Sequence, residues 1–132
     1  MGDLLGPDLK NELSRVSVPG LAHVGDAVYE LMVRTWLCVG GVSTAKSLHK
    51  KAVGYVSAKA QAGAVAVVLP LLDEEEMAVF KRGRNTHLSS APQGSTFEEY
   101  HAATGLEALF GYLYLSGRTA RLNELFSVII EK

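Results

Sequence analysis

A single cysteine, Cys38, excludes an internal disulfide and any zinc site built on cysteine. Charge of one sign is also missing: 13 Lys and Arg stand against 14 Asp and Glu, a formal net charge of -1. No global field draws such a chain to nucleic acid, so binding of that kind requires a local basic patch. No apolar run reaches the roughly 18 residues of a membrane span, because Arg34 interrupts the first long stretch and Glu107 the last. The opening MGDLLGPDLKNEL lacks the basic and apolar regions of a secretory signal, and it misses the Ser or Thr of a myristoylation site. The expectation is a soluble cytoplasmic protein without membrane association, or an organellar one were a transit segment to precede it. Cys38, at the end of an apolar helix, reads as a small core residue.

What is present is apolar and helical. The 132 residues, 48% hydrophobic and 20% charged, suit one compact domain with its own core, 1–132, in which 1–17 is a Gly- and Pro-containing lead-in with a short helical piece near Asp8 to Val16. Ser17 and Pro19 start a long helix, and Gly40-Gly41 ends it. Ser43 or Thr44 caps the next, which carries Lys46, His49, Lys50 and Lys51. After Gly54 a further helix runs from about Tyr55 to Leu69, with Lys59 and Gln61 as its main polar groups and Pro70 at its end. Asp73 caps a helix with Glu74, Glu75 and Glu76 at its start and Lys81, Arg82 and Arg84 at its close, an order that matches the helix dipole. Asn85 to Ser95 is a loop, and Ser95 with Glu98, or Thr96 with Glu99, forms a capping box for the helix that ends at Gly117. A last helix, about Ala120 to Ile130, puts Leu122, Leu125, Phe126 and Ile129 on one face. The fold class is all-α.

Two carboxylates sit where helices do not want them. LAHVGDAVYELMVRTWL, residues 21–37, carries Gly25-Asp26 in its middle, and both residues weaken a helix interior. TGLEALFGYLYL, residues 104–115, carries Glu107 between Gly105 and Gly111. Tyr100, Thr104, Glu107, Gly111 and Tyr114 share one stripe, so small residues flank this acid and allow another helix close. Two acids on facing apolar helices can hold a hard cation such as Mg2+, which often takes only one or two protein carboxylates. The structural alternative is that each acid caps a backbone group or pairs with a buried Arg. Glu30 pairs first with Arg34 four residues on, leaving open a supporting role beside Asp26. A zinc or di-iron site would need more than the single Glu98-x-x-His101 motif.

VGDAVYELMVR, LHKKAVGYVSAKAQA, EEEMAVFKRGRN and YHAATGLEALFGYLYL, in this order across roughly residues 18–126, resemble Mini-ribonuclease III, the short branch of the ribonuclease III family without a double-stranded-RNA-binding domain. The resemblance implies a single ribonuclease III-like helical domain that cuts double-stranded RNA as a homodimer with Mg2+, and that matures the large-subunit (23S) ribosomal RNA precursor. By position in the motifs it makes Asp26 and Glu107 the catalytic, metal-holding pair. Full-length relatives usually carry two further acids where this chain has Ala22 and Thr104. A catalytically silent RNA-binding or scaffold domain on the same fold is the alternative.

For the RNA, the leading patch is Lys81, Arg82, Arg84, Asn85 and His87, at a helix end that runs into the loop. Lys50, Lys51 and Lys59, with Lys46, form a second group. Dipole matching needs only one or two bases near a helix end, and the first patch exceeds that. Val24, Val28, Leu31 and Trp36 are expected either at a dimer interface or in the core.

Overall fold

The computed structural model describes residues 2–10, 12–86 and 94–131. Among them the chain forms α1 (Val18–Val39), α2 (Ala45–Val56), α3 (Ala58–Val68), α4 (Glu74–Arg84), α5 (Phe97–Leu115) and α6 (Thr119–Glu131), and no strand. The all-α expectation holds. No single helix among these residues is long and apolar enough to cross a membrane.

The helix ends follow local chemistry. Ser17 accepts from the Gly20 amide with Pro19 in the first turn of α1, and Thr44 accepts from the Ser47 amide to start α2. Asp73 with Glu76, and Thr96 with Glu99, form complete capping boxes, so the second box uses Thr96 and leaves Glu98 outside it. Two expected boundaries shift. α2 runs through Gly54 to Val56, and the break comes at Ser57, whose extended backbone and hydroxyl, accepting from the Ala60 amide, end one helix and begin the next. In the lead-in the only helical piece among the described residues is a 3-10 turn, Leu13–Arg15.

α5 is apolar on every side and is therefore the element that gets surrounded: α1, α3, α4 and α6 all pack against it. Leu106, Leu109, Phe110 and Leu113 are fully buried there. The Tyr29 ring meets Phe110 edge-on at 5.2 Å and Phe126 at 5.9 Å, joining α1, α5 and α6. Glycine sets how close α1 comes. A Cβ on Gly25 would lie 1.6 Å from the carbonyl oxygen of Glu107, and one on Gly111 would lie 1.9 Å from that of Leu21. The two backbones are in direct contact.

An ion pair with a buried carboxylate joins α4 to α6. Arg121 donates from Nε and Nη2 to the two Glu76 carboxylate oxygens, each at 2.8 Å, and from Nη2 to the Leu71 carbonyl at 2.7 Å. Glu76 is 1% exposed. Of the three acids at the start of α4, this one is thus more than a partner for the dipole: it ties α4 to α6, and the Arg121 guanidinium holds its carboxyl below the usual range. Cys38 departs from expectation and is exposed. It lies one turn beyond Arg34 on the outward stripe of α1, while Val33 and Leu37 take the inward positions.

Candidate active site

The contact at Gly25 and Gly111 decides the geometry of the site. The residue after Gly25 is Asp26, and the backbone that touches Gly25 belongs to Glu107. The two carboxyl groups consequently meet across the α1–α5 seam and share a hydrogen bond. Asp26 is exposed and Glu107 half-buried, so the pair opens to solvent on the α1 side. Burial first, then the charge and hydrogen bond of Asp26, push the Glu107 carboxyl up to about 8. The nearby Gln61 amide acts in the opposite direction, and among the described residues no cationic side chain is one of the groups acting on it. The alternative of pairing with a buried Arg is therefore not what the fold does: the buried Arg pair is Arg121 with Glu76.

This donor set fits a hard divalent cation. Mg2+ completes its shell with water and phosphate oxygens when only one or two carboxylates are offered, and two like charges brought together without a counter-ion favour one. Among the described residues no third acid joins them. Thr104 turns its hydroxyl back to the Tyr100 carbonyl at 3.0 Å, and Ala22 packs among apolar side chains. Among the described residues no group of three or more His, Cys, Asp or Glu side chains gathers as a metal site. Glu98-x-x-His101 does not chelate either: His101 Nδ1 donates to the Arg84 carbonyl at 2.8 Å, and its ring packs on Phe97. Glu30 is engaged with Arg34 at 2.8 Å.

A stability prediction follows from the sign of the Glu107 shift. Its folded value, about 8, exceeds its ordinary 4.5. The stabilising contribution of the protonated group is complete below the ordinary value and is lost as pH rises towards 8. In chelator, stability should therefore fall as pH rises from about 4.5 to about 8, by on the order of 1–2 kcal/mol once solvent at the exposed Asp26 is allowed for, and the melting temperature should fall with it. Glu107→Gln should remove that slope. A cation must displace the proton, so the gain in melting temperature from Mg2+ should grow over the same interval. A flat profile for the native chain in chelator would contradict the raised value.

The two groups of basic residues lie on different helices. Lys81, Arg82, Arg84 and Asn85 are exposed at the end of α4, and Arg84 lies over the Phe80 ring and donates to the Asn85 side chain at 3.3 Å. His87, with most of the following loop, falls outside the described residues. The Arg84–His101 contact places this end of α4 beside α5 about 9 Å along the axis from Glu107, at 1.5 Å per residue. Lys50, Lys51 and Lys59 are exposed on α2 and α3, and none of them is among the groups acting on Glu107.

Gln61 is the site residue to which sequence reading assigned no role. It sits in the first turn of α3 on the stripe of Ala64, Val65 and Val68, all buried, and is itself 1% exposed. That pattern, one amide on an otherwise apolar face, was legible as an anomaly.

The Ribonuclease III domain profile matches residues 20–118. Similar proteins include Mini-ribonuclease 3 of Clostridium tetani, 38% identical over 92% of this chain and 81% of that protein, and Mini-ribonuclease 3 of Brevibacillus brevis, 44% identical over 90% and 84%. An X-ray crystal structure of a Fusobacterium nucleatum protein, 31% identical, superposes with a TM-score of 0.81 over 88% of this chain and 94% of that one. Opposed acids across a glycine-mediated helix contact, inside a matching domain and alongside such relatives, place the chain in the Mini-ribonuclease 3 family of ribonuclease III-domain endoribonucleases.

Proposed function

We propose that this chain is a Mg2+-dependent endoribonuclease that hydrolyses phosphodiester bonds of double-stranded RNA, as a homodimer, in the maturation of the 23S ribosomal RNA precursor in the bacterial cytoplasm. The observation that carries the reading is the meeting of Asp26 and Glu107 across the α1–α5 seam, with no cationic side chain among the described residues to offset them. Asp26 and Glu107 would hold the ion, whose contribution when bound is to make a water nucleophilic and to offset charge developing on the phosphate. The chain's own part is to fix the two carboxylates through a backbone contact that cannot slide, and to leave Asp26 open to the substrate.

One acid pair per subunit serves one strand, so cutting a duplex calls for two copies related by a two-fold axis. A groove of about 630 Å³ on α1, α5 and α6, lined by Val24, Val28, Leu31, Met32, Tyr114 and Leu122, supports this, with Leu31 60% exposed and Asp26 also in its lining. Of the four residues expected at an interface or in the core, Trp36 meets Tyr55 edge-on at 5.2 Å within the chain and Val28 is buried in the core. The deciding experiment is incubation of a long RNA duplex with the purified chain and Mg2+. Cleavage that stops with chelator supports the enzyme; intact duplex that is nonetheless bound would make the chain a silent RNA-binding domain.

For binding, Arg82→Ala with Arg84→Ala should weaken duplex affinity and flatten its log-log salt dependence by about one unit per lost phosphate contact, with the melting temperature unchanged. Lys50 with Lys51 changed to Ala should do the same more mildly. Unaltered affinity and slope in the double arginine variant would move the RNA surface to the lysines of α2 and α3.

A further inference from the structure

Gln61 lies deeper than either acid, and the proposed reaction has not used it. It stands in the first turn of α3, which packs against α5. Nε2 donates to the Val56 carbonyl at 3.3 Å, and the amide lies close enough to the Glu107 carboxyl to favour its ionised form. The Val56 carbonyl can only accept, so the nitrogen has to face it, and the orientation of the amide is thereby set. Its Oε1 is buried and has no hydrogen-bond partner among the described residues. Leaving an amide oxygen unmade inside a core is costly, whereas an apolar side chain of the same length would fill the space without that cost. The rest of its stripe is Ala64, Val65 and Val68, so packing alone calls for such a residue here.

We propose that Gln61 is a positioning residue for the cation site. Its amide holds the Glu107 carboxylate in place from behind and supplies the site's third polar group as a neutral one, in a chain whose Ala22 and Thr104 bring no further acid. A third carboxylate at this depth would add to the repulsion between Asp26 and Glu107, while an amide orients Glu107 without adding charge. The inference rests on the cation reading of the acid pair proposed above. Groups that orient a metal ligand from outside typically change metal affinity by roughly 10–100-fold when lost.

The test replaces Gln61 by methionine, similar in length and without donor or acceptor. Mn2+ binding to the RNA-free protein is followed by electron paramagnetic resonance, and the Mg2+ dependence of duplex cleavage is measured in parallel. Gln61→Met should weaken Mn2+ binding about tenfold and raise the Mg2+ concentration for half-maximal cleavage by a similar factor. The rate at saturating Mg2+ should stay within about threefold of the native chain, and the melting temperature in chelator should not fall. Unchanged Mn2+ affinity, or a loss of rate that Mg2+ does not restore, would overturn the proposal and make Gln61 a packing residue. Gln61→Leu repeats the measurement with a different shape, and unfolding of both variants would also overturn it. A native chain that binds no Mn2+ would instead sink the cation reading itself, which the native titration reports separately from either variant.

Discussion

Asp26→Asn and Glu107→Gln should each lower the rate of duplex RNA cleavage by roughly 10³-fold or more while leaving a folded protein that still binds the duplex. The size comes from the chemistry assigned to the pair. A carboxylate-held cation stabilises the transition state by several kcal/mol, and about 4 kcal/mol is a factor of roughly 10³ in rate. Each substitution keeps the shape of its side chain and removes one of the two charges that neutralise the ion. Stability should move the other way. Asp26 raises the proton affinity of Glu107 by charge and by hydrogen bond, so a neutral partner at either position relieves repulsion in the cation-free protein. The expected signature is therefore lost cleavage with an equal or higher melting temperature in chelator. Retention of near-native cleavage at ordinary Mg2+ by either variant would remove that residue from the site.

The second large effect is expected at a position with no polar atom in its side chain. Gly111→Ala adds a methyl group whose carbon would lie 1.9 Å from the Leu21 carbonyl oxygen, and Gly25→Ala one that would lie 1.6 Å from the Glu107 carbonyl oxygen. Both obstacles are backbone, so no rotamer change relieves them, and α1 and α5 have to part. Alanine is the better helix former by up to about 1 kcal/mol, but overpacking a rigid core costs about 1–3 kcal/mol and more where backbone must move. The sum should be a loss of at least about 2 kcal/mol and a fall in melting temperature on the order of 10 °C. Cleavage should fall with it, because the same contact brings Asp26 to Glu107. Gly54→Ala is the control: Gly54 lies inside α2 with nothing within 4 Å of the added carbon, and should gain about 0.5–1 kcal/mol. Equal melting temperatures for Gly111→Ala and Gly54→Ala would show that the backbone contact is wrong.

The helix ends were legible because capping is a property of neighbours in sequence. Ser17, Thr44, Asp73 and Thr96 each satisfy an amide three residues on; the sequence left Ser43 beside Thr44 and Ser95 beside Thr96 as alternatives, and the structure caps with the threonines. The break between α2 and α3 was misplaced because a glycine inside a helix permits a turn without requiring one. Gly54 has negative φ and stays helical, while Ser57 offers the backbone a positive alternative, a hydroxyl that accepts from Ala60. Cys38 was misplaced for a related reason: composition says a residue is apolar, and the phase of the helix decides whether it faces the core.

By itself the sequence determined the helical class, the caps, and the two carboxylates that their helices cannot easily accommodate, since each is a conflict between one residue and its immediate surroundings. The small residues on the Glu107 stripe announced a close helix neighbour, yet not which helix. Only the tertiary structure decided that the neighbour is α1, that its glycine falls opposite Glu107 so that the acids meet, and that Gln61 reaches the same carboxyl from α3 while Arg121 goes to Glu76. These pairings join residues from 45 to 82 positions apart in the chain. Which of several distant partners closes on a given side chain depends on how the helices cross, and that angle and depth are set by the whole core at once, through backbone contacts that no local pattern records.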